Sequence, residues 1–181
     1  MKVAFYIGDH RDDDWAARAG WYVTQLVQKG PYGCVTHVEA IHAEHSDGTV
    51  TIASSSLRDK GVRAKRVRLN PAHWRIVDVP SWDVALSIAL LEQTEGMLYD
   101  LRGAIATAFL GAQDNDRYFC NEWVAEPFVV ASATFGPHQL CAIALSLGTE
   151  ETSSFFARMA ELAERHAMSQ DGMWRERLGQ L

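Results

Sequence analysis

Apolar and polar positions alternate at the start of the chain, with Val3, Phe5 and Ile7 on one side of a short predicted strand. An Asp-rich turn follows (Asp9, Asp12, Asp13, Asp14), and Asp14 is placed to cap a helix from Trp15 to about Gln28. Its stripe of Trp15, Ala19, Tyr22 and Leu26 has the spacing of an amphipathic helix, and Gly30-Pro31 ends it. The β-branched run Val35 to His42 predicts a strand with Val35, His37, Glu39 and Ile41 on one face and Thr36, Val38, Ala40 and His42 on the other. Ser46-Asp47-Gly48 predicts a hairpin turn into a strand over Val50–Ala53, with further strands over Val62–Leu69 and Trp74–Val79.

The period then lengthens. Ser81 is the expected N-cap of a helix from Trp82 to about Glu95, closed by Gly96. An Ala-rich segment and a polar loop, 112–117, lead to Tyr118-Phe119-Cys120 and a segment that reads as a helix until Pro127 interrupts it. His138–Leu147 is an apolar stretch compatible with helix or strand. The tail from Glu150 to Ala167 carries Phe155, Met159, Leu162 and His166 on one stripe, the pattern of a docked amphipathic helix.

With 181 residues and no repeat, linker or low-complexity stretch, the expected organisation is one domain over 1–181, with 150–181 as a helical extension docked on it. A net charge of −6 leaves no footprint for nucleic acid, and the one basic run, Arg63 to Arg68, reads as the solvated face of a strand. The N-terminus lacks the features of a signal peptide, and no apolar run is long enough to cross a bilayer. Three cysteines (Cys34, Cys120, Cys141) without a secretory leader are expected to be reduced thiols. Cys141 lies in an apolar run and reads as inert core; Cys34 sits in a turn.

Cys120 differs because it stands where a helix begins. Unpaired backbone N–H groups and the positive end of the helix dipole favour a thiolate there, and the thiolate is the nucleophile. A buried cysteine packed as a small hydrophobe is the alternative. A cysteine nucleophile needs a histidine to take and return its proton and a polar group to orient that histidine. His37 and Glu39, on one strand face, meet both needs; the alternative for His37 is a satisfied histidine on a half-buried strand. His37, Glu39, His42, Glu44 and His45 together invite a zinc reading, but alternation sets His42 on the face opposite His37, so neither a metal nor another cofactor is expected.

Four segments in order resemble the circularly permuted NlpC-type, papain-like cysteine hydrolases of bacteria and bacteriophages. Gly30-Pro31-Tyr32 followed by Thr36-His37-Val38-Glu39 resembles that group's "Ser-His-Val-Glu" strand, and Ser54 to Arg63 resembles the hairpin after it. Tyr99-Asp100-Leu101-Arg102-Gly103 resembles the "Tyr-Asp-x-x-Gly" turn, and Phe119-Cys120-Asn121-Glu122 the "Phe-Cys-Ser-Glu" nucleophile segment. The resemblance implies an α+β fold, permuted papain-like, with an antiparallel sheet packed against helices. It implies Cys120 as nucleophile, His37 as general base and acid, Glu39 as the orienting residue and Tyr99 beside the substrate. Two departures stand out: the extra length Gly33-Cys34-Val35 before His37, and Asn121 in place of the usual serine.

The expected function is a cysteine amidase or peptidase acting on short peptides such as those of peptidoglycan. The alternatives are a thiol acyltransferase or lipid esterase of the same permuted fold, or a non-catalytic binding or structural protein such as a phage virion component. The expected partner is accordingly a peptide or acyl small-molecule substrate, and the expected location the cytoplasm or a phage virion.

Overall fold

The computed structural model describes residues 1–7, 35–106, 116–128 and 137–148. The helix expected over 15–28, Cys34 and the C-terminal amphipathic stripe lie outside the described residues. The described part is an α+β arrangement built on a mostly antiparallel sheet. Among the described residues seven strands stand in the order β5-β1-β2-β3-β4-β6-β7. They are β1 (Lys2–Tyr6), β2 (His37–Glu44), β3 (Val50–Ser56), β4 (Gly61–Val67), β5 (Trp74–Asp78), β6 (Leu98–Tyr99) and β7 (Arg117–Tyr118), and β6 and β7 run parallel. The helices are α1 (Val84–Thr94), α2 (Leu101–Ala106), α3 (Cys120–Ala125) and α4 (Pro137–Leu147).

The hairpin signals act as expected. Asp47 accepts from the backbone N–H of Thr49 at 3.0 Å and from its hydroxyl at 2.6 Å, and Gly48 takes a φ of +76°, which closes β2 onto β3. The pairing Ala40↔Ala53 follows. The next turn sets Ser56↔Gly61 and therefore Ser54↔Arg63. Gly61, at φ +152°, is required twice over, since a side chain there would be strained and would strike the Met97 carbonyl. That close approach seats β6 against β4.

Alternation then builds two cores. Val38 and Ala40 of β2 join Val3, Phe5, Ala53 and Val62 in the larger one, against Trp123 and Val124 of α3 and Leu140, Cys141 and Ala144 of α4. Ile41 joins Ala4, Val50 and Ile52 in the smaller one. Every residue of α3 is buried. Cys141 is fully buried in the larger core.

The second helix-start expectation needs correction. Asp83, not Ser81, is the N-cap of α1, and its carboxylate accepts from the Ala85 N–H at 2.9 Å. Trp82 stays outside the helix because its ring is a core element, stacked on Phe128 with centroids 4.8 Å apart. The inward side of α1 is polar as well. Ser87 and Thr94 are its buried residues, while Leu86 and Ile88 are exposed. Hydrogen bonds account for that inversion: Ser87 meets His42 Nε2 at 2.9 Å, and Thr94 Oγ1 accepts from Trp123 Nε1 at 2.9 Å while donating to the Leu90 carbonyl at 2.7 Å. Pro127 ends α3 as expected, and the chain turns there, with Phe128 N–H donating to the Ala125 carbonyl at 2.8 Å.

Candidate active site

Cys120 is the first residue of α3, preceded by Phe119 in an extended conformation as N-cap. Phe119 has no side chain that can cap. Glu122 supplies the missing contact by accepting from the Phe119 N–H at 3.3 Å. The chain arrives from β7, where the Tyr118 carbonyl accepts from Ser55 Oγ at 2.6 Å and from the Asp100 N–H at 2.9 Å. These bonds, with the burial of Trp123 and Val124 on β2 and β3, fix the start of α3 over the sheet.

His37 opens β2 and donates from Nε2 to Glu39 Oε1 at 2.8 Å. Trp74 stands edge-on to the imidazole with centroids 6.2 Å apart. Burial of the ring pushes its pKa down. The negative charges of Cys120 and then Glu39, each reinforced by a side-chain hydrogen bond, outweigh burial and raise the pKa to about 9. His37 and Glu39, both singled out in the sequence, are thus hydrogen-bonded partners, and the charge of Cys120 acts on His37 as well.

Glu39 is 1% exposed. Burial alone would push its carboxyl up, but the charge and hydrogen bond of His37, followed by those of Arg63, hold it below the ordinary range. Arg63 grips it with both arms of the guanidinium, Nη1 to Oε2 at 2.7 Å and Nη2 to Oε1 at 2.5 Å. Here the reading of the basic run as a solvated face fails at one position. The Arg63 side chain is 15% exposed and spends its charge inward, whereas Arg66, at 55%, is indeed on the surface. Arg63 was absent from the candidates because alternation in β4 gives no sign of what lies two strands away. The register would have found it. Ala40↔Ala53 continues by one step to Glu39 opposite Ser54, and Ser54 pairs with Arg63.

Tyr99 ends β6, and burial, the charge of Cys120 and that of Asp100 together raise its phenol well above the ordinary value. It is therefore a protonated donor near the sulfur. Asp100 caps α2 by accepting from the Gly103 N–H at 2.8 Å, and a Cβ on Gly103 would collide with that carboxylate. This close packing is the local reason for the Tyr-Asp-x-x-Gly spacing. Asn121 is buried, with Oδ1 3.8 Å from the Cys120 sulfur. His42 faces Ser87 and Trp123 and not His37, and burial lowers its pKa. Among the described residues no three His, Cys, Asp or Glu side chains converge in the manner of a metal centre, and no helix is long and apolar enough to cross a membrane.

The raised His37 pKa has a consequence for stability. A group whose pKa rises from 6.5 in the unfolded chain to about 9 in the fold contributes stability in full below pH 6.5 and loses it as pH climbs to 9. Melting temperatures of wild type and His37→Gln compared from pH 5.5 to 9.5 should therefore differ most at the acid end and converge across that window. A constant difference would mean that His37 does not titrate as the geometry requires.

No family model, curated protein or solved structure matches the chain.

Proposed function

We propose that the protein is a cysteine-dependent amide hydrolase of the permuted papain-like type, with Cys120 as nucleophile, His37 as general base and acid, and Glu39 as the orienting carboxylate. The observation that carries this reading is the His37 ring, which is hydrogen-bonded to the buried Glu39 carboxylate at 2.8 Å and whose pKa is raised by the charges of both Cys120 and Glu39. A histidine that only filled space on a half-buried strand would need one polar partner. This one has an acid on one side and a thiol at the head of a buried helix on the other.

The reaction runs in two halves. The Cys120 sulfur attacks the carbonyl carbon, a C–S bond forms, and the carbonyl oxygen takes the negative charge. Tyr99, held protonated, serves in this reading as the donor to that oxygen. As the C–N bond breaks, His37 passes its proton to the departing amine and a thioester remains. Water then gives a proton to His37 and attacks the thioester, and the acid leaves as the sulfur regains its starting state. Glu39 keeps Nε2–H engaged throughout, so the imidazole stays oriented. Short peptides of the peptidoglycan kind are the substrates this reading favours.

Two observations favour the alternatives. Leu98 and Leu101, which flank Tyr99-Asp100, are 54% and 48% exposed and would suit an acyl chain, as in a thiol acyltransferase or lipid esterase. Cys120 is 4% exposed, which suits a non-catalytic member of the fold. One assay separates these readings from the hydrolase. A chromogenic ester presented to wild type should give a burst of product and a thioester on Cys120 that water clears, with both absent in Cys120→Ala. Acyl-enzyme cleared only by an added amine or alcohol would point to a transferase. No burst at all would leave the structural reading.

A further inference from the structure

Arg63 lies outside the three residues that perform the proposed chemistry, yet its charge is committed to them. It is anchored from behind: Nε donates to Asp59 Oδ2 at 2.6 Å, and Lys65 donates to the same oxygen at 2.6 Å. It also donates from Nη1 to the Ser54 carbonyl at 3.1 Å. The guanidinium thus crosses β3 at a serine. The row Glu39, Ser54, Arg63 spans three strands, a reach of roughly 10 Å at the spacing of paired strands. A larger residue at position 54 would stand in its path.

Among the described residues the titratable groups facing Glu39 and the sulfur are few. They are His37 on β2, Arg63 on β4 with Asp59 behind it, and Cys120 on α3 with Tyr99 of β6 beside it. β3 contributes only uncharged side chains, Lys65 is committed to Asp59, and Tyr6, opposite His37 on β1, packs on His73 and Trp74. In the active state proposed above, a thiolate, an imidazolium, a carboxylate and a guanidinium, the set sums to zero. Without the guanidinium it would carry one uncompensated negative charge, and a buried charge of that kind takes up a proton. A proton on either Cys120 or Glu39 undoes the pair.

We propose that Arg63 is a positioning residue for this site, which balances its charge and holds Glu39 ionised and in line with His37 so that the thiolate–imidazolium pair persists at neutral pH. The inference rests on the hydrolase reading above, but it asks for more. A residue serving only as a structural strut would not care about the sign of its partner.

The test is the pH profile of Cys120 alkylation by iodoacetamide in wild type, Arg63→Gln, Glu39→Gln and the double variant. Arg63→Gln should move the acid limb up by about one pH unit, a tenfold loss of rate on that limb. Adding Glu39→Gln to it should bring the limb back towards wild type, since both charges are then gone. Arg63→Lys should keep the limb and lose only turnover, because the charge remains and the fork does not. Should Arg63→Gln fail to accumulate as folded protein, Glu39→Gln against the double variant carries the same question. Removing Arg63 must then raise the limb by about one unit. Coincident limbs in either pair overturn the inference. A wild-type profile that ignores His37→Ala would instead overturn the hydrolase reading itself, so the two failures are told apart.

Discussion

Truncating Trp123 to alanine is expected to lower folding stability by about 3–5 kcal/mol, the range for removing a large aromatic from a core. The side chain is fully buried at the centre of α3, among Val38, Ala40 and Ala53 of the sheet and the α4 residues. Its indole N–H also satisfies Thr94 Oγ1, so the change opens a cavity and removes a link between α3 and α1. Trp123→Phe separates the two effects. The Thr94 hydroxyl still donates to the Leu90 carbonyl, so losing the indole bond should cost only about 1 kcal/mol beyond the smaller packing loss. Urea unfolding of the three proteins measures both steps, and an alanine variant within 1 kcal/mol of wild type would contradict the packing described here.

The second large effect is on chemistry. His37→Ala should slow turnover of a chromogenic ester by roughly 10²–10⁴-fold, the usual contribution of a positioned acid–base group. The loss should fall on kcat, because the imidazole acts on protons in flight and not on ground-state binding. Glu39→Gln should lie between His37→Ala and wild type, since an amide still accepts from Nε2–H but supplies no charge to the imidazolium. A His37→Ala protein that retains more than about a tenth of wild-type turnover would remove His37 from the role of acid and base.

Much of this arrangement was legible in the residues. Period-two alternation gave β1 to β5 to within a few positions, because strands with one face in a core cannot slip by one residue without inverting their burial. The Asp47-Gly48 turn and the helix stop at Gly96 act through local backbone chemistry, which the sequence carries directly. The helix start was harder. Ser81 and Asp83 are both good caps, and Asp83 prevails because Trp82 belongs to the core, a tertiary fact. The polar inner side of α1 was invisible for the same kind of reason, since Ser87 and Thr94 are buried by partners, His42 and Trp123, that are remote in sequence.

The site divides in the same way. His37 and Glu39 are two residues apart on one strand, so their proximity follows from alternation alone. Cys120 stands on α3, whose packing on β2 and β3 no spacing within the sequence fixes. Arg63 needed the register of two hairpins at once. Its inward turn also explains why β3 carries Ser54 where the same strand uses Ile52 two residues earlier: the small side chain leaves room for the guanidinium.

The measurement that bears most directly on the site is the rate of Cys120 alkylation between pH 4 and 10 in wild type and His37→Ala. The shape of the profile is what matters, because a stabilised thiolate is intrinsically less nucleophilic than an ordinary one and absolute rates partly cancel. An active pair predicts a rate that falls less steeply below pH 8 than that of a free thiol, which loses about tenfold per unit on acidification. It also predicts a second change near pH 9, where His37 gives up its proton, and the loss of both features in His37→Ala. A wild-type profile that falls tenfold per unit below pH 8 and matches that of His37→Ala would contradict the account, and Cys120 would then be a core thiol beside a histidine it does not use.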